Sequence, residues 1–287
     1  MSYLIFTDVS ADVATDLPEN SEIGFVPMEY SIGGGMRKCE STESRQQLKL
    51  FYDGQRGGDL TQTSQISPYM YEEFFEPYMK EGNSILYISL SSGLSSTFQS
   101  ARMASAALKE KYPELDMIAI DSLGATGGMG VLIERARRNK EAGLSLTDNA
   151  ADIKAATGKI RHWFMVEDLM YLKRGGRIGA ASAVIGTALQ VKPILKINEE
   201  GKLDIVYKKR GLVLAKKCIM EEFLKDYDAE SGDVIYVTDA DSIENGDSMK
   251  DMISEKYPNA VIRRTGLTPI IGAHTGPGMF AVCYIAK

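Results

Sequence analysis

The sequence predicts an α/β protein with two lobes, and two observations carry that prediction. Over the first half of the chain, short apolar runs alternate with longer amphipathic segments, which is typical of a mainly parallel sheet in a three-layer α/β/α arrangement. Beyond residue 159, apolar runs instead flank turn signals such as Glu200-Gly201, which indicates an α+β lobe with a mixed sheet. The length of 287 residues suits two domains, which we expect at residues 1–158 and 159–287.

The first lobe is predicted to alternate strands with helices. Its predicted strands are residues 3–7, 23–32, 84–89 and 117–121, and its predicted helices are residues 42–53, 68–81, 94–112, 128–142 and 145–159. The helix from residue 68 has a clear start, because Ser67 is a good N-cap and Pro68 is tolerated in a first helical turn.

The second lobe is predicted to mix hairpin-paired strands with helices. Its predicted strands are residues 163–166, 191–198, 203–209, 234–238, 260–264 and 279–285, and its predicted helices are residues 168–174, 180–189, 211–227 and 243–257.

Composition and charge exclude several classes of function. A net charge of -6 without a basic block argues against nucleic acid as a partner, because phosphate neutralisation needs clustered Lys and Arg. The longest small or apolar run, residues 179–189, is too short for an integral membrane segment. The first ten residues, MSYLIFTDVS, lack the basic start and long apolar stretch of a signal peptide. We therefore expect a cytoplasmic protein.

Cysteine and histidine usage adds to this expectation. Cys39, Cys218 and Cys283 are widely spaced and form no CxxC pair, which favours buried reduced thiols. His162 and His274 are the only histidines, and no HExxH element is present, so we expect neither a metal site nor a cofactor.

The turn at residues 91–97, SSGLSST, is the first candidate for a binding site. It follows a predicted strand and opens a helix, and ligands of open α/β sheets bind at the carboxyl ends of strands. Its hydroxyls and the free N–H groups of a helix start suit a carboxylate or a phosphate. The alternative is that these serines only cap the helix and face solvent.

Three further turns share this character. Residues 7–10, 61–67 and 121–124 each place hydroxyl or acidic side chains at a predicted strand end or helix start. Each could be a simple cap, but together they predict that several polar turns meet at one edge of the sheet.

Two segments of the second lobe are further candidates for a functional role. Residues 168–178, DLMYLKRGGRI, end a basic helix in a glycine pair, and residues 272–278, GAHTGPG, place His274 in a constrained loop before the last strand. We expect a functional role for His274, whereas a structural role is the simpler interpretation of His162.

Six segments, in this order, resemble the DegV family of bacterial fatty-acid-binding proteins, which includes the acyl-carrier subunits of fatty acid kinase. They are TDVSAD (7–12), TSQISP (63–68), SSGLSSTFQSA (91–101), DLMYLKRGGRI (168–178), KPIL (192–195) and GAHTGPG (272–278). The resemblance runs from residue 3 to the C-terminus, and it implies a long-chain fatty acid held in a tunnel between the two lobes.

The same resemblance implies roles for individual residues. Thr63 and Ser95 would hydrogen-bond the fatty-acid carboxylate, a backbone N–H near Ser96 would assist, and His274 would lie close to the head group. Residues 180–195 are candidates for contact with the tail.

The resemblance also implies a partner. Arg177 and Arg210 look like the family's basic residues near the portal, where they would serve phosphoryl transfer or docking of a kinase subunit. The chain itself would be no catalyst, since the ATP-dependent partner would make the acyl phosphate.

Two enzyme classes are alternatives. A serine hydrolase would use Ser95 as nucleophile, His274 as base and Asp8 or Asp121 as the acid, although residues 93–97 lack the second glycine of GxSxG. A nucleotide-binding enzyme would use GATGGMG (124–130), which fits neither GxGxxG nor a P-loop. A tight strand-to-helix turn is the simpler interpretation of those glycines.

Overall fold

The computed structural model of the protein describes residues 3–14, 23–179 and 190–287. Its strands are β1 (Tyr3–Asp8), β2 (Ile23–Val26), β3 (Met28–Ile32), β4 (Gly35–Cys39), β5 (Thr61–Thr63), β6 (Ser84–Ser89), β7 (Met117–Asp121), β8 (Ile160–Met165), β9 (Val191–Ile197), β10 (Leu203–Arg210), β11 (Ile235–Asp239), β12 (Ile262–Gly266) and β13 (Phe280–Ile285). Its α-helices are α1 (Arg45–Arg56), α2 (Pro68–Lys80), α3 (Thr97–Lys111), α4 (Thr126–Glu141), α5 (Leu146–Thr157), α6 (Leu169–Arg174), α7 (Leu212–Asp226), α8 (Ile243–Lys256) and α9 (Pro269–Thr275).

The strands form two main sheets, as the fold class predicts. The first sheet is parallel throughout, in the order β2-β1-β6-β7. The second sheet has the order β10-β9-β8-β13-β11-β12, in which only β11 and β12 pair in parallel. The α/β class with a parallel first sheet and a mixed second sheet is therefore confirmed.

Helices cover both sheets in alternating layers. Helices α2 and α3 pack on one face of the first sheet, and α4 and α5 pack on the other. Helix α4 also packs on β11 and β13, so it lies between the two sheets, while α7 and α8 cover the far face of the second sheet. A domain boundary at residues 158–159 would fall between α5 and β8, and it stays a prediction because α4 is shared.

Glycines allow α4 to approach the second sheet closely. A Cβ added at Gly127 or Gly130 would lie 2.5 Å or 2.7 Å from atoms of Tyr236, and one at Gly128 would lie 1.9 Å from Nε2 of His162. The glycines of GATGGMG thus serve packing between the lobes, which supports the simpler interpretation over a nucleotide loop.

A small third sheet was not predicted. Residues 23–32 form two strands instead of one, because Pro27 separates β2 from β3 and the two strands join different sheets. Strand β3 pairs antiparallel with both β4 and β5. The exposed, polar sequence of β4 and the three-residue length of β5 carry little of the alternation that identifies a strand.

Other expectations concern the helix at residues 180–189 and the cysteines. That predicted helix lies outside the described residues. Cys39, Cys218 and Cys283 are all buried and free. Within the described ranges, no helix is long and apolar enough to cross a membrane.

We predict that Gly128→Ala destabilises the protein, because the added methyl group would overlap the imidazole of His162 in a fully packed contact. Overpacking of this kind costs about 1–3 kcal/mol of unfolding free energy. Gly158→Ala is the matched control, since its Cβ would meet no atom within 4 Å and its φ of -68° suits any residue. Urea denaturation of both variants tests this, and equal midpoints would contradict the packing role of Gly128.

Candidate functional site

The carboxyl ends of β1 and β6 are joined through Asp8. Its carboxylate accepts hydrogen bonds from the backbone N–H groups of Ser10 (3.0 Å) and Leu90 (3.1 Å) and from the Tyr87 hydroxyl (2.9 Å). Burial raises the pKa of Asp8, and these hydrogen bonds oppose that rise. Asp8 therefore fixes the turn that follows β6 relative to β1.

The turn at residues 91–97 docks onto the hairpin between β9 and β10. The Ser91 hydroxyl donates to the carbonyl of Gly201 (2.8 Å), and the Ser91 N–H donates to the carbonyl of Gly124 (2.9 Å). A Cβ at Gly93 would lie 2.6 Å from the carbonyl oxygen of Glu200, so only glycine fits this contact. Ser91 thus has a structural role, which brings the first lobe's turn against the second lobe.

Ser95 and Ser96 lie differently in this turn. Ser95 is half-buried in the cavity wall, where its hydroxyl lies 2.7 Å from Oγ1 of Thr97 and accepts from the Thr97 N–H (3.2 Å). Ser96 is exposed at the N-cap position of α3, makes no side-chain cap bond, and is not part of the cavity wall.

Thr63 and His274 meet directly. Thr63 ends β5, and its hydroxyl lies 2.8 Å from Nε2 of His274. The prediction that His274 lies in a loop is wrong, because the residue occupies the last turn of α9 and only the chain after Thr275 leaves the helix. Pro269 starts that helix at a position where proline is favoured.

A glycine makes room for the His274 ring. A Cβ at Gly175 would lie 2.3 Å from Nδ1 of His274, which explains the first glycine of the GGRI segment. Burial, and to a smaller extent the positive charge of Arg177, lowers the pKa of His274 to about 4. His274 is therefore neutral at pH 7, and its buried Nδ1 makes no hydrogen bond within the part of the chain that the structure describes.

Arg177 supplies a positive charge that no carboxylate of the described residues balances. Its Nε donates to the carbonyl of Leu94 (3.2 Å), and its Nη1 donates to the carbonyl of Gly175. Among residues 3–14, 23–179 and 190–287, no Asp or Glu forms an ion pair with it, although burial lowers the pKa of the guanidinium. Carbonyl oxygens orient a guanidinium without neutralising its charge.

Arg210 lies elsewhere. It is exposed at the end of β10, seven residues beyond Leu203 in the cavity wall, which corresponds to about 23 Å of extended strand. The structure thus brings together Thr63, Ser95, Arg177 and His274, and it places Ser96 and Arg210 outside this group.

These four residues line a cavity of about 340 Å³. This volume is at the lower end of the range of small-molecule sites, roughly 300–1,000 Å³. Both lobes contribute apolar side chains to the wall, and examples are Met28, Leu90, Phe164, Leu172, Ile197 and Leu203. The arrangement is an apolar chamber with a polar, positively charged end.

Sequence reasoning missed two polar residues in the same wall, His162 and Thr126. His162 alternates with Phe164 along β8, and a period of two is the signal that could have placed both on the cavity face.

The geometry does not assemble a serine hydrolase. Nε2 of His274 contacts Thr63 instead of Ser95, and within the described chain no carboxylate reaches its Nδ1. Asp8 is engaged as described above, and Asp121 accepts from the N–H groups of Ser92 and Leu123 (both 3.1 Å). A triad requires the base to contact both the nucleophile and an orienting acid.

The described residues also contain no group of three or more His, Cys, Asp or Glu side chains that could hold a metal ion.

Comparison with known sequences gives matches over nearly the whole chain. A family model described as "Uncharacterised protein, DegV family" matches residues 2–287. A DegV domain-containing protein of Clostridium perfringens is 33% identical over 283 residues, covering 99% of this chain and 97% of the relative. Another from Streptococcus pyogenes serotype M3 is 31% identical over 287 residues, covering 100% of this chain and 99% of the relative.

Solved structures agree with the sequence matches. A fatty-acid-binding DegV family protein from Thermus thermophilus superposes with a TM-score of 0.85 at 25% identity, covering 100% of both chains. The fatty acid kinase B3 protein of Streptococcus pneumoniae, solved with linoleic acid, gives a TM-score of 0.87 at 20% identity, also covering 100% of both chains, and at that identity the likeness concerns the fold. Since the family model and the relatives span almost every residue, this chain belongs to the DegV family.

Proposed function

We propose that this protein binds a long-chain fatty acid in the cavity between its lobes, with the carboxylate at the Arg177 end. The observation that carries the proposal is the guanidinium of Arg177, half-buried in the wall of an apolar cavity without a carboxylate partner among the described residues. A buried cation without a counter-ion is costly, and an anionic ligand head group removes that cost. The Thermus thermophilus structure, described as fatty acid binding, supports the same ligand class.

The head group would find hydrogen-bond donors as well as charge. The hydroxyls of Thr63 and Ser95 can each donate to a carboxylate oxygen once they turn from their present partners, His274 and Thr97. His274 then accepts or donates a hydrogen bond according to its tautomer. Because its ring is neutral, Arg177 carries the positive charge at this end of the cavity. The free N–H groups at the start of α3, next to Ser96, add a favourable dipole.

The tail would supply most of the affinity. Burial of a methylene group contributes about 0.8 kcal/mol, so ten of them contribute on the order of 8 kcal/mol before the costs of association. The apolar walls of both lobes offer that burial, and Ile197 of β9 is part of them. The polar end therefore needs only to offset the desolvation of the carboxylate.

We further propose that the protein presents its fatty acid to an ATP-dependent kinase subunit and has no catalytic role itself. Arg210 is exposed and outside the cavity, which suits docking of a protein partner, while Arg177 would lie beside the reacting carboxylate. The Streptococcus pneumoniae fatty acid kinase B3 protein shares the fold over its whole length. A cytoplasmic location, which such a partner requires, stays a prediction.

Mass spectrometry of small molecules extracted from the purified protein tests the ligand directly. We expect a long-chain fatty acid, or uptake of added oleate or palmitate where the protein purifies empty. Stabilisation by ATP or NAD without any response to fatty acids would point to a nucleotide site instead.

Removal of head-group contacts should weaken fatty-acid binding. We expect Ser95→Ala to cost about 1.5–3 kcal/mol, the value of a hydrogen bond to a charged group, and Arg177→Met to cost at least as much. Arg102→Met is the matched control, since Arg102 is exposed on α3 and outside the cavity. Titration with a fluorescent fatty acid measures all three, and equal affinities would show that the carboxylate is held elsewhere.

The neutral state of His274 makes stability depend on pH. Because its pKa falls from about 6.5 in the unfolded chain to about 4 in the folded protein, the unfolded chain binds more protons between these values. The stabilisation is complete above pH 6.5 and is lost as the pH falls toward 4, by up to about 1.4 kcal/mol per pH unit. We expect the gap in unfolding free energy between wild type and His274→Gln to narrow over this range. A constant gap would mean that His274 titrates normally.

Arg210 tests the kinase proposal separately. With a bacterial fatty acid kinase catalytic subunit and ATP, we expect Arg210→Ala to slow acyl phosphate formation several-fold and to leave fatty-acid affinity unchanged. An unchanged rate would remove Arg210 from the docking surface.

A further inference from the structure

We propose that the cavity selects fatty acids that carry a hydroxyl or keto oxygen along the chain, and that Nδ1 of His162 recognises this oxygen. The inference rests on the proposed function, and it names the class of ligand more narrowly.

His162 belongs to the cavity wall but is not one of the residues at its polar end, which are Thr63, Ser95, Arg177 and His274. It is 3% exposed on β8, pairs with Cys283 of β13, and alternates with Phe164 so that both side chains line the cavity. One edge of its ring is fixed against the first turn of α4 and the chain just before it, since a Cβ at Gly128 or Gly124 would overlap Nε2 or Cε1. The imidazole is therefore a rigid part of the wall.

Only one of the two ring nitrogens of His162 is used. Nε2 lies 3.3 Å from the backbone nitrogen of Ala125 and 3.1 Å from its carbonyl oxygen. If Ala125 N–H donates to Nε2, the proton of the neutral ring is on Nδ1, and if Nε2 donates to the carbonyl, Nδ1 is an acceptor. In both tautomers Nδ1 keeps one hydrogen-bonding capacity, and no residue in the described parts of the chain fills it.

The neighbouring residue Thr126 also belongs to the cavity wall, but its hydroxyl is buried beside the carboxylate of Asp12. Burial raises the pKa of Asp12 to about 7, and the Thr126 hydroxyl opposes that rise. Asp12 is held from the other side by the N–H of Thr268 (2.6 Å). Near the start of α4, Nδ1 of His162 is therefore the polar atom that a ligand can pair with.

This nitrogen discriminates between ligands. An unsubstituted alkyl chain packed against Nδ1 returns no hydrogen bond, which leaves a buried polar atom unsatisfied. A chain hydroxyl can donate or accept, so it satisfies His162 in either tautomer, whereas a keto oxygen satisfies only the tautomer with its proton on Nδ1. A site with unpaired polar groups favours the ligand that pairs them.

The test compares stearate with hydroxystearates substituted at successive carbons and with the corresponding ketostearates. We expect wild type to bind at least one hydroxystearate about three- to tenfold more tightly than stearate, the value of one net hydrogen bond. In His162→Leu we expect this preference to disappear and the affinity for stearate to rise. Phe164→Leu is the matched control on the same strand. It should weaken the binding of both ligands equally and leave the ratio of their affinities unchanged.

A measurement on wild type covers the case in which His162→Leu does not fold. The ¹⁵N chemical shifts of the His162 ring report on Nδ1, and we expect them to change when the preferred hydroxystearate replaces stearate. Tight stearate binding without any preference, or a preference that survives in His162→Leu, would overturn this inference and leave the proposed function intact. Failure of every fatty acid to bind would overturn the proposed function itself.

Discussion

The contact between α4 and the second sheet is the constraint on which the other features depend. Three glycines let the helix approach until backbone and ring are in contact, and Tyr236 and His162 occupy the space that side chains would otherwise fill. Since the same helix covers the first sheet, buried side chains of both lobes form one continuous apolar cluster. The cavity lies where this shared core is interrupted, so its walls come from both lobes and its shape depends on their fixed spacing.

Electrostatics at the cavity follows from that spacing. Arg177 is held by two backbone carbonyls, and Gly175 lets the His274 ring lie beside it. Burial removes the proton from His274 and leaves the guanidinium as the charge at this end of the cavity. Under the two proposals, the charge that would hold the head group and the His162 nitrogen that would recognise the chain are therefore separate parts of the wall.

The alternation of strands and helices predicted the fold class, and the resemblance to the DegV family predicted that Thr63, Ser95 and His274 share one site, where the structure places them in one cavity wall. The predictions were less accurate where tertiary contacts determine the local structure. The loop expected around His274 is a helical turn, and the strand expected at residues 23–32 divides at Pro27. The packing role of Gly128 and the orientation of His162 depend on two elements far apart in sequence, so no local pattern reports them.

The helix shared by the two sheets also limits how the molecule can move. Hinge bending between lobes requires a boundary that few buried contacts cross, and here Tyr236 would have to leave its place against Gly127 and Gly130. Separation of the sheets would break the apolar cluster that the two lobes share. A ligand that binds in the cavity would consequently enter and leave while the two lobes keep their relative orientation, and its exchange would depend on local motion at the cavity rim.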